Sequence, residues 1–255
     1  MKVCLTVRYD GSVFKGWAPN HNIRSVSHDL TTVVQMVTRS NAVLTVAGRT
    51  DAGVHALGQV VSFEVVDGFS QRDLERLMKS INSMCSPSIS VVGGRFVSVD
   101  FDARRSATSR HYRYLVSNDQ FPDPFLVNRA WHVHGLLDLA KMQRASESLL
   151  GEHDFAAFCR LAPPPNNSTV RHIFAADWSV RLDGLWQFEI SGNAFCHQQV
   201  RAIVGTLVVV GRGQLSPAAV ERMLEKKDRM RMPDLAPAHG LYLVRVGYGG
   251  QRVHP

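Results

Sequence analysis

The chain has 255 residues, 45% of them hydrophobic and 20% charged, the profile of a folded globule rather than a disordered chain. No apolar run approaches the roughly 18 residues that a membrane span needs; the longest, Ile203 to Val210, is interrupted by Gly205 and Thr206. Lysine plus arginine number 29 against 22 acidic residues, a net charge of +7 that suits a polyanionic partner without proving one.

Lys2 to Tyr9 alternates, with Val3, Leu5, Val7 and Tyr9 on one face, and predicts a strand. The sequence goes straight into that strand with no signal-peptide core, so a cytoplasmic protein is expected. Asp29 to Arg39 spaces Leu30, Val33, Val34 and Val37 as one face of an amphipathic helix. Val43 to Ala47 is a short apolar stretch, and Gly58 to Val66 alternates again. Ser70 followed by Asp73 marks a capped helix with Leu74, Leu77, Met78 and Ile81 on one face. Ile89 to Val97 reads as a strand broken at Gly93-Gly94.

Residues 102–110 are polar and basic, and the boundary between halves is placed there, giving 1–104 and 105–248. In the second half, His111 to Asn118 is a strand, Asp138 to Leu150 a helix ended by Gly151, and Arg171 to Ser191 a hairpin turning at Asp183-Gly184. Phe195 to Val210 is a helix, Ser216-Pro217 begins another that runs to about Lys227, and Leu241 to Val246 is a last strand. Leu161 to Ser168 reads as a surface loop, and residues 249–255 as a disordered tail. The grammar is α+β: two similar halves of ferredoxin-like or RRM-like plan, a mostly antiparallel sheet with helices on one face, and a cleft on the other.

Chemistry concentrates in Ala47-Gly48-Arg49-Thr50-Asp51-Ala52-Gly53-Val54-His55-Ala56. Glycines on both sides of Arg49-Thr50-Asp51 allow a sharp turn from which Arg49 and Asp51 project. On spacing alone this reads first as a surface turn with a local ion pair. Cys4, Cys85, Cys159 and Cys196 form no C-x-x-C pair, so neither a disulfide nor a zinc site is expected. His132 and His134 share a strand face, but no third ligand is suitably spaced, and they, like His55, His153, His172 and His197, are assigned packing or surface roles.

The ten residues from Ala47 to Ala56 resemble, without a departure, the signature loop of the tRNA pseudouridine synthase A family. The likeness continues through Tyr9-Asp10-Gly11-Ser12 with Gly16-Trp17, Phe101-Asp102-Ala103-Arg104, Tyr112-Arg113-Tyr114 and Leu150-Gly151-Glu152-His153-Asp154-Phe155. It runs on through Asn193-Ala194-Phe195-Cys196-His197, Val200 to Gly205, and Gly240-Leu241-Tyr242-Leu243. The resemblance implies isomerisation of uridine to pseudouridine in the tRNA anticodon stem-loop, with no cofactor and no metal, by a homodimer that one tRNA bridges.

On the same resemblance, Asp51 is the nucleophile and Arg201 the cation that keeps it ionised. Tyr112 stacks on the uracil and takes part in moving the C5 proton, and Leu241 closes the uracil pocket. Attack at uracil C6 and attack at ribose C1′ both stay open. Arg49 suits the space left by a flipped base, because a guanidinium can both stack and pair with phosphate. Arg24, Arg104, Arg105, Arg110 and Arg113 are candidate contacts to the RNA backbone, with Asp10 and Lys15 near the cleft mouth. Taken without the resemblance, Tyr112 is a packed strand tyrosine, as Tyr114 is taken to be, and Arg201 a solvated helix-edge arginine.

Two departures fall on the RNA-facing part of the first half. Ala18-Pro19-Asn20-His21 follows Gly16-Trp17 where the family usually has Gln, and Ser27 stands after Ser25-Val26 where Gln is usual. A non-catalytic RNA-binding or folding protein on the same scaffold, and a synthase of altered target range, are the competing readings.

Overall fold

A computed structural model of the chain describes residues 1–18, 23–160, 168–227 and 233–249. Pro19 to His21, residues 161–167 of the expected loop and 250–255 of the expected tail lie outside the described residues. The chain forms two compact units, residues 1–108 with 242–255, and residues 109–241. This differs from halves of 1–104 and 105–248, because the last strand joins the first unit.

The first unit holds β1 (Lys2–Tyr9), α1 (Val26–Thr38), β2 (Thr45–Val46), β3 (His55–Glu64), α2 (Gln71–Met84) and β4 (Ile89–Val97). β1 lies between β4 and β3, antiparallel to both. The far edge of β3 is shared. β2 pairs antiparallel at Ser62 and Val61, while the last strand, β10 (Leu241–Tyr248), pairs parallel at His55 and Ala56. The order β4-β1-β3-β2 is that of a split βαβ unit.

Val3, Leu5 and Val7 of β1 are fully buried, as are Leu74, Leu77 and Ile81 of α2. The Gly93-Gly94 pair has two uses there. A register shift falls opposite Thr6 and Val7, and a Cβ on Gly94 would come 2.9 Å from both Leu5 Cδ2 and Met78 Sδ, so α2 sits tightly over the sheet. Ser70 and Asp73 form the expected capping box. α1 starts at Val26, three residues before the expected Asp29, because Ser25 accepts from the amide of His28 at 3.2 Å and caps it.

The second unit takes most of β5 (Ala107–Ser117), then β6 (Trp131–His132), α3 (Leu139–Glu147), β7 (Gly151–Asp154), β8 (Val170–Val180), β9 (Trp186–Gly192), α4 (Gln199–Gly211) and α5 (Ala218–Lys226). Its antiparallel order is β5-β9-β8-β7, with β6 added parallel to β5. α4 is its central helix: all but Arg201 and Val209 of its 13 residues are buried.

α4 begins at Gln199 rather than Phe195, since Gln198 takes a left-handed φ of 67° and the Gln199 side chain accepts from the amide of Cys196 at 2.9 Å. α3 stops at Glu147, short of the expected Leu150, and Gly151 at φ 89° opens β7 instead. A further expectation is corrected: Cys159 and Cys196 are joined by a disulfide, their Cα atoms 5.6 Å apart. The two residues lie 37 positions apart and meet where Arg160 donates its amide to the His197 carbonyl at 2.9 Å, a pairing that no local spacing reveals. Cys4 and Cys85 are free and buried. No helix among the described residues is long and apolar enough to cross a membrane.

Candidate active site

The Gly48–Gly53 loop leaves β2 and returns as β3, and it is held at several points from within its own unit. Gln59, fully buried on β3, donates to the Gly48 carbonyl at 2.7 Å. The Tyr9 hydroxyl lies 2.8 Å from Thr50 Oγ1, and Gln59 donates to that same phenol at 3.3 Å. Burial pushes the Tyr9 phenol up to about 12, so it stays neutral and available as a donor.

The segment after β1 closes over the loop. Trp17 donates its amide to the Thr50 carbonyl at 3.0 Å and Gly53 donates to the Phe14 carbonyl. Gly16 is required here: its φ is +94°, and a Cβ would stand 2.9 Å from the Thr50 carbonyl oxygen. Gly53 at φ 82° makes the turn after Asp51. The outcome is a half-buried Asp51 and an exposed Arg49 on a loop fixed by Thr50, the buried residue between them.

His55, where the loop becomes β3, is 2% exposed. Its Nδ1 sits 3.1 Å from the Gly11 amide and 3.2 Å from Asp10 Oδ1, and its ring stacks on Tyr242 at 4.7 Å. It packs the base of the loop, and Asp10 is held there with it. Lys15 is exposed. Arg24 bonds to Asp29 at 2.8 Å and lies 4.8 Å above the Phe14 ring. Arg104 and Arg105 both donate backbone amides to Asp102 and leave their side chains exposed.

The remaining candidates are in the second unit. Tyr112 lies opposite Ile190, 9% exposed, with the Phe195 ring edge-on at 5.2 Å. Tyr114, two residues on, is the expected core residue: it is fully buried and donates to the Pro237 carbonyl at 2.7 Å. Arg201 is not a loose helix-edge side chain. Its Nε donates to the Ala236 carbonyl at 2.8 Å, and its carbonyl accepts from the Ala236 amide at 3.2 Å. Burial, with the Arg201 charge adding to it, holds His239 below the usual imidazole range. Leu241, 6% exposed, follows the same segment at the start of β10.

Arg110 donates to the Asn193 carbonyl at 2.8 Å. Arg113, on the opposite face of β5, makes an ion pair with Glu189 at 2.8 Å. His132 reaches the Asp119 carbonyl at 3.0 Å.

Motif likeness singles out Asp51, Tyr112 and Arg201 as candidates, and assigns no role to the residues that these candidates and their loop touch. Tyr9 and Gln59 look like ordinary alternating strand positions; Tyr9 also lies in a family-like stretch, and each carries a polar tip inside an apolar strand. Phe195 was read as the first turn of a helix, and the 236–237 segment gives no local pattern. What the first unit offers chemically is a half-buried carboxylate on a loop held by buried hydrogen bonds.

A sequence model of the family described as tRNA pseudouridine synthase matches residues 145–249. The tRNA pseudouridine synthase A of Acetivibrio thermocellus is 39% identical over 247 residues, which are 96% of this chain and 99% of that protein. The protein of the same name from Bacillus subtilis is 37% identical over 250 residues, 97% of this chain and 99% of its own. That of Chromobacterium violaceum is 38% identical over 249 residues, 97% and 93%. The chain belongs to the tRNA pseudouridine synthase A family.

Proposed function

We propose that this protein converts uridine to pseudouridine in the anticodon stem-loop of tRNA, with Asp51 as the nucleophile. The observation that carries the reading is the Asp51 loop, whose ten family-like residues coincide with a carboxylate held through Thr50 by Tyr9 and Trp17 and through Gly48 by Gln59. A nucleophile needs that kind of fixing, because orientation in advance removes much of the entropic barrier to attack.

The bond from uracil N1 to ribose C1′ breaks, the base turns, and C5 joins C1′. C5 gives up its proton and N1 gains one, so the reaction is an isomerisation that needs no redox partner. Asp51 attacks either uracil C6 or ribose C1′. In this proposal Arg201 is the positive charge that accompanies Asp51, Tyr112 stacks on the uracil and moves the C5 proton, and Leu241 closes the base pocket. Arg49, exposed beside Asp51, fills the gap left by the flipped base. A homodimer that one tRNA bridges, working in the cytoplasm, completes the proposal.

The test is incubation of the purified protein with unmodified tRNA transcripts, followed by mapping of pseudouridine at single-nucleotide resolution. Product at anticodon-arm uridines is expected. Product confined to other parts of the tRNA would favour an altered target range, and none at all would favour the binding protein.

A further inference from the structure

At one end of the second unit's sheet, arginines from two strands converge around a glycine. Arg110 of β5 lies opposite Gly192 of β9, and Ile173 of β8 lies opposite the same glycine from the other side. Side chains two apart on a strand share a face, so Arg110 goes with Tyr112, and Arg171 with Ile173. The side of Gly192 settles which face this is. A Cβ there would point at Ile173 Cδ1 at 2.9 Å and at the Phe195 ring at 3.3 Å. Phe195 in turn meets Tyr112 edge-on at 5.2 Å. Arg110, Arg171, Phe195 and Tyr112 therefore surround one patch.

The two arginines are also held by one turn. Arg110 donates to the Asn193 carbonyl, while Asn193 exchanges bonds with His172, the neighbour of Arg171: its amide donates to the His172 carbonyl and its side chain accepts from the His172 amide, both at 3.0 Å. Arg171 is half-buried. Its Nη1 donates to the Val170 carbonyl at 2.6 Å, and its Nε is buried with no partner. Burial, with the Arg110 charge adding to it, lowers the Arg171 pKa. A second guanidinium on the same sheet face as Arg171, whose buried Nε donor is unmatched, makes that donor costly to hold. An oxyanion removes that cost, because a guanidinium fork matches phosphate oxygens.

We infer that Arg171 and Arg110 form a phosphate site for the RNA strand, holding a phosphodiester next to the nucleotide that Tyr112 receives. This rests on the proposed role of Tyr112, and it assigns Arg171 a part in substrate binding. Phosphate contacts fix the position of a strand without reading its sequence, which is what a flipped nucleotide beside Tyr112 requires.

The experiment measures binding of an unmodified tRNA anticodon stem-loop transcript to the full-length protein at several salt concentrations. Arg171→Gln and Arg110→Gln should each weaken binding roughly tenfold and lower the salt slope by about one contact, with Arg171→Lys recovering part of both. A second arm places single methylphosphonates at the phosphates flanking the target uridine; one of them should cost the wild-type protein a similar factor, and Arg171→Gln should lose nothing further on that RNA. Unchanged affinity in Arg171→Gln, weakened binding with an unchanged salt slope, or no sensitive phosphate in the wild-type arm would each overturn the site. Binding needs no turnover, so a wild type that makes no pseudouridine yet shows these effects would sink the proposed activity and leave the phosphate site standing.

Discussion

The hydroxyls of Tyr9 and Thr50 meet at 2.8 Å, and through them the first strand of the chain fixes the residue between Arg49 and Asp51. Both groups are buried, and Gln59 completes the cluster by donating to Tyr9 and to the Gly48 carbonyl. Polar groups inside a core are costly unless matched, so this trio has little freedom to rearrange. The loop inherits that rigidity.

Replacing Tyr9 with Phe should therefore destabilise the protein by about 1–2 kcal/mol, since Thr50 and Gln59 lose a buried partner. Turnover should fall while tRNA binding changes little. The pH dependence has a defined sign. The folded phenol sits near 12 against an ordinary 10, so the stability tied to its neutral form is whole below pH 10 and is lost as pH rises to 12. Denaturant unfolding of the two proteins should thus differ most below pH 10, and the gap should narrow above it.

Gly16→Ala tests the clamp from the other side. Alanine would have to adopt φ +94° with its Cβ 2.9 Å from the Thr50 carbonyl oxygen, a backbone atom that cannot swing aside. A loss of about 2 kcal/mol or more in denaturant unfolding is expected, together with a clear fall in turnover. A fully active and stable Gly16→Ala would show that the loop does not need this approach.

Much of the fold was legible because hydrophobic periods are local. β1, α2 with its capping box, and the β8–β9 hairpin were placed from spacing alone. Element ends were not, where a cap or a left-handed residue decided them: Ser25 starts α1 early and Gln198 starts α4 late. The return of β10 to the first unit, and the meeting of Cys159 with Cys196, are long-range events that leave no mark on neighbouring residues. Asp51, Tyr112 and Arg201 are proposed through motif likeness, whereas the parts given to Tyr9, Gln59, Phe195 and Arg171 emerge from what they touch.

Tyr112 carries two proposed duties that separate by substitution. Tyr112→Phe keeps the ring that meets Phe195, so the Kd for tRNA should stay within about twofold. Loss of the hydroxyl should slow the single-turnover rate by about a hundredfold if it moves the C5 proton. Tyr112→Ala should raise Kd as well. Equal rates for Tyr112→Phe and wild type would remove the hydroxyl from the chemistry.

The Cys159–Cys196 link can be read by mass. Alkylation of denatured, unreduced protein should label two of the four cysteines, Cys4 and Cys85, and all four after reduction. In the native protein Cys4 should react slowly near pH 8, because burial pushes its thiol up to about 11. A link across this span restricts the unfolded chain by about 4 kcal/mol on chain-entropy grounds, so reduction should lower Tm by roughly 5–10 °C. Labelling of four cysteines without reductant would contradict the pairing.

Asp51 bears the proposed chemistry most directly. Asp51→Asn keeps the size and leaves the Tyr9–Thr50 bond untouched, so the variant should fold and bind unmodified tRNA with a Kd within about threefold of wild type. Its pseudouridine yield, followed by single-turnover assay on that tRNA, should fall by at least about 10⁴-fold. Pseudouridine formed by Asp51→Asn at the wild-type rate would contradict the central claim.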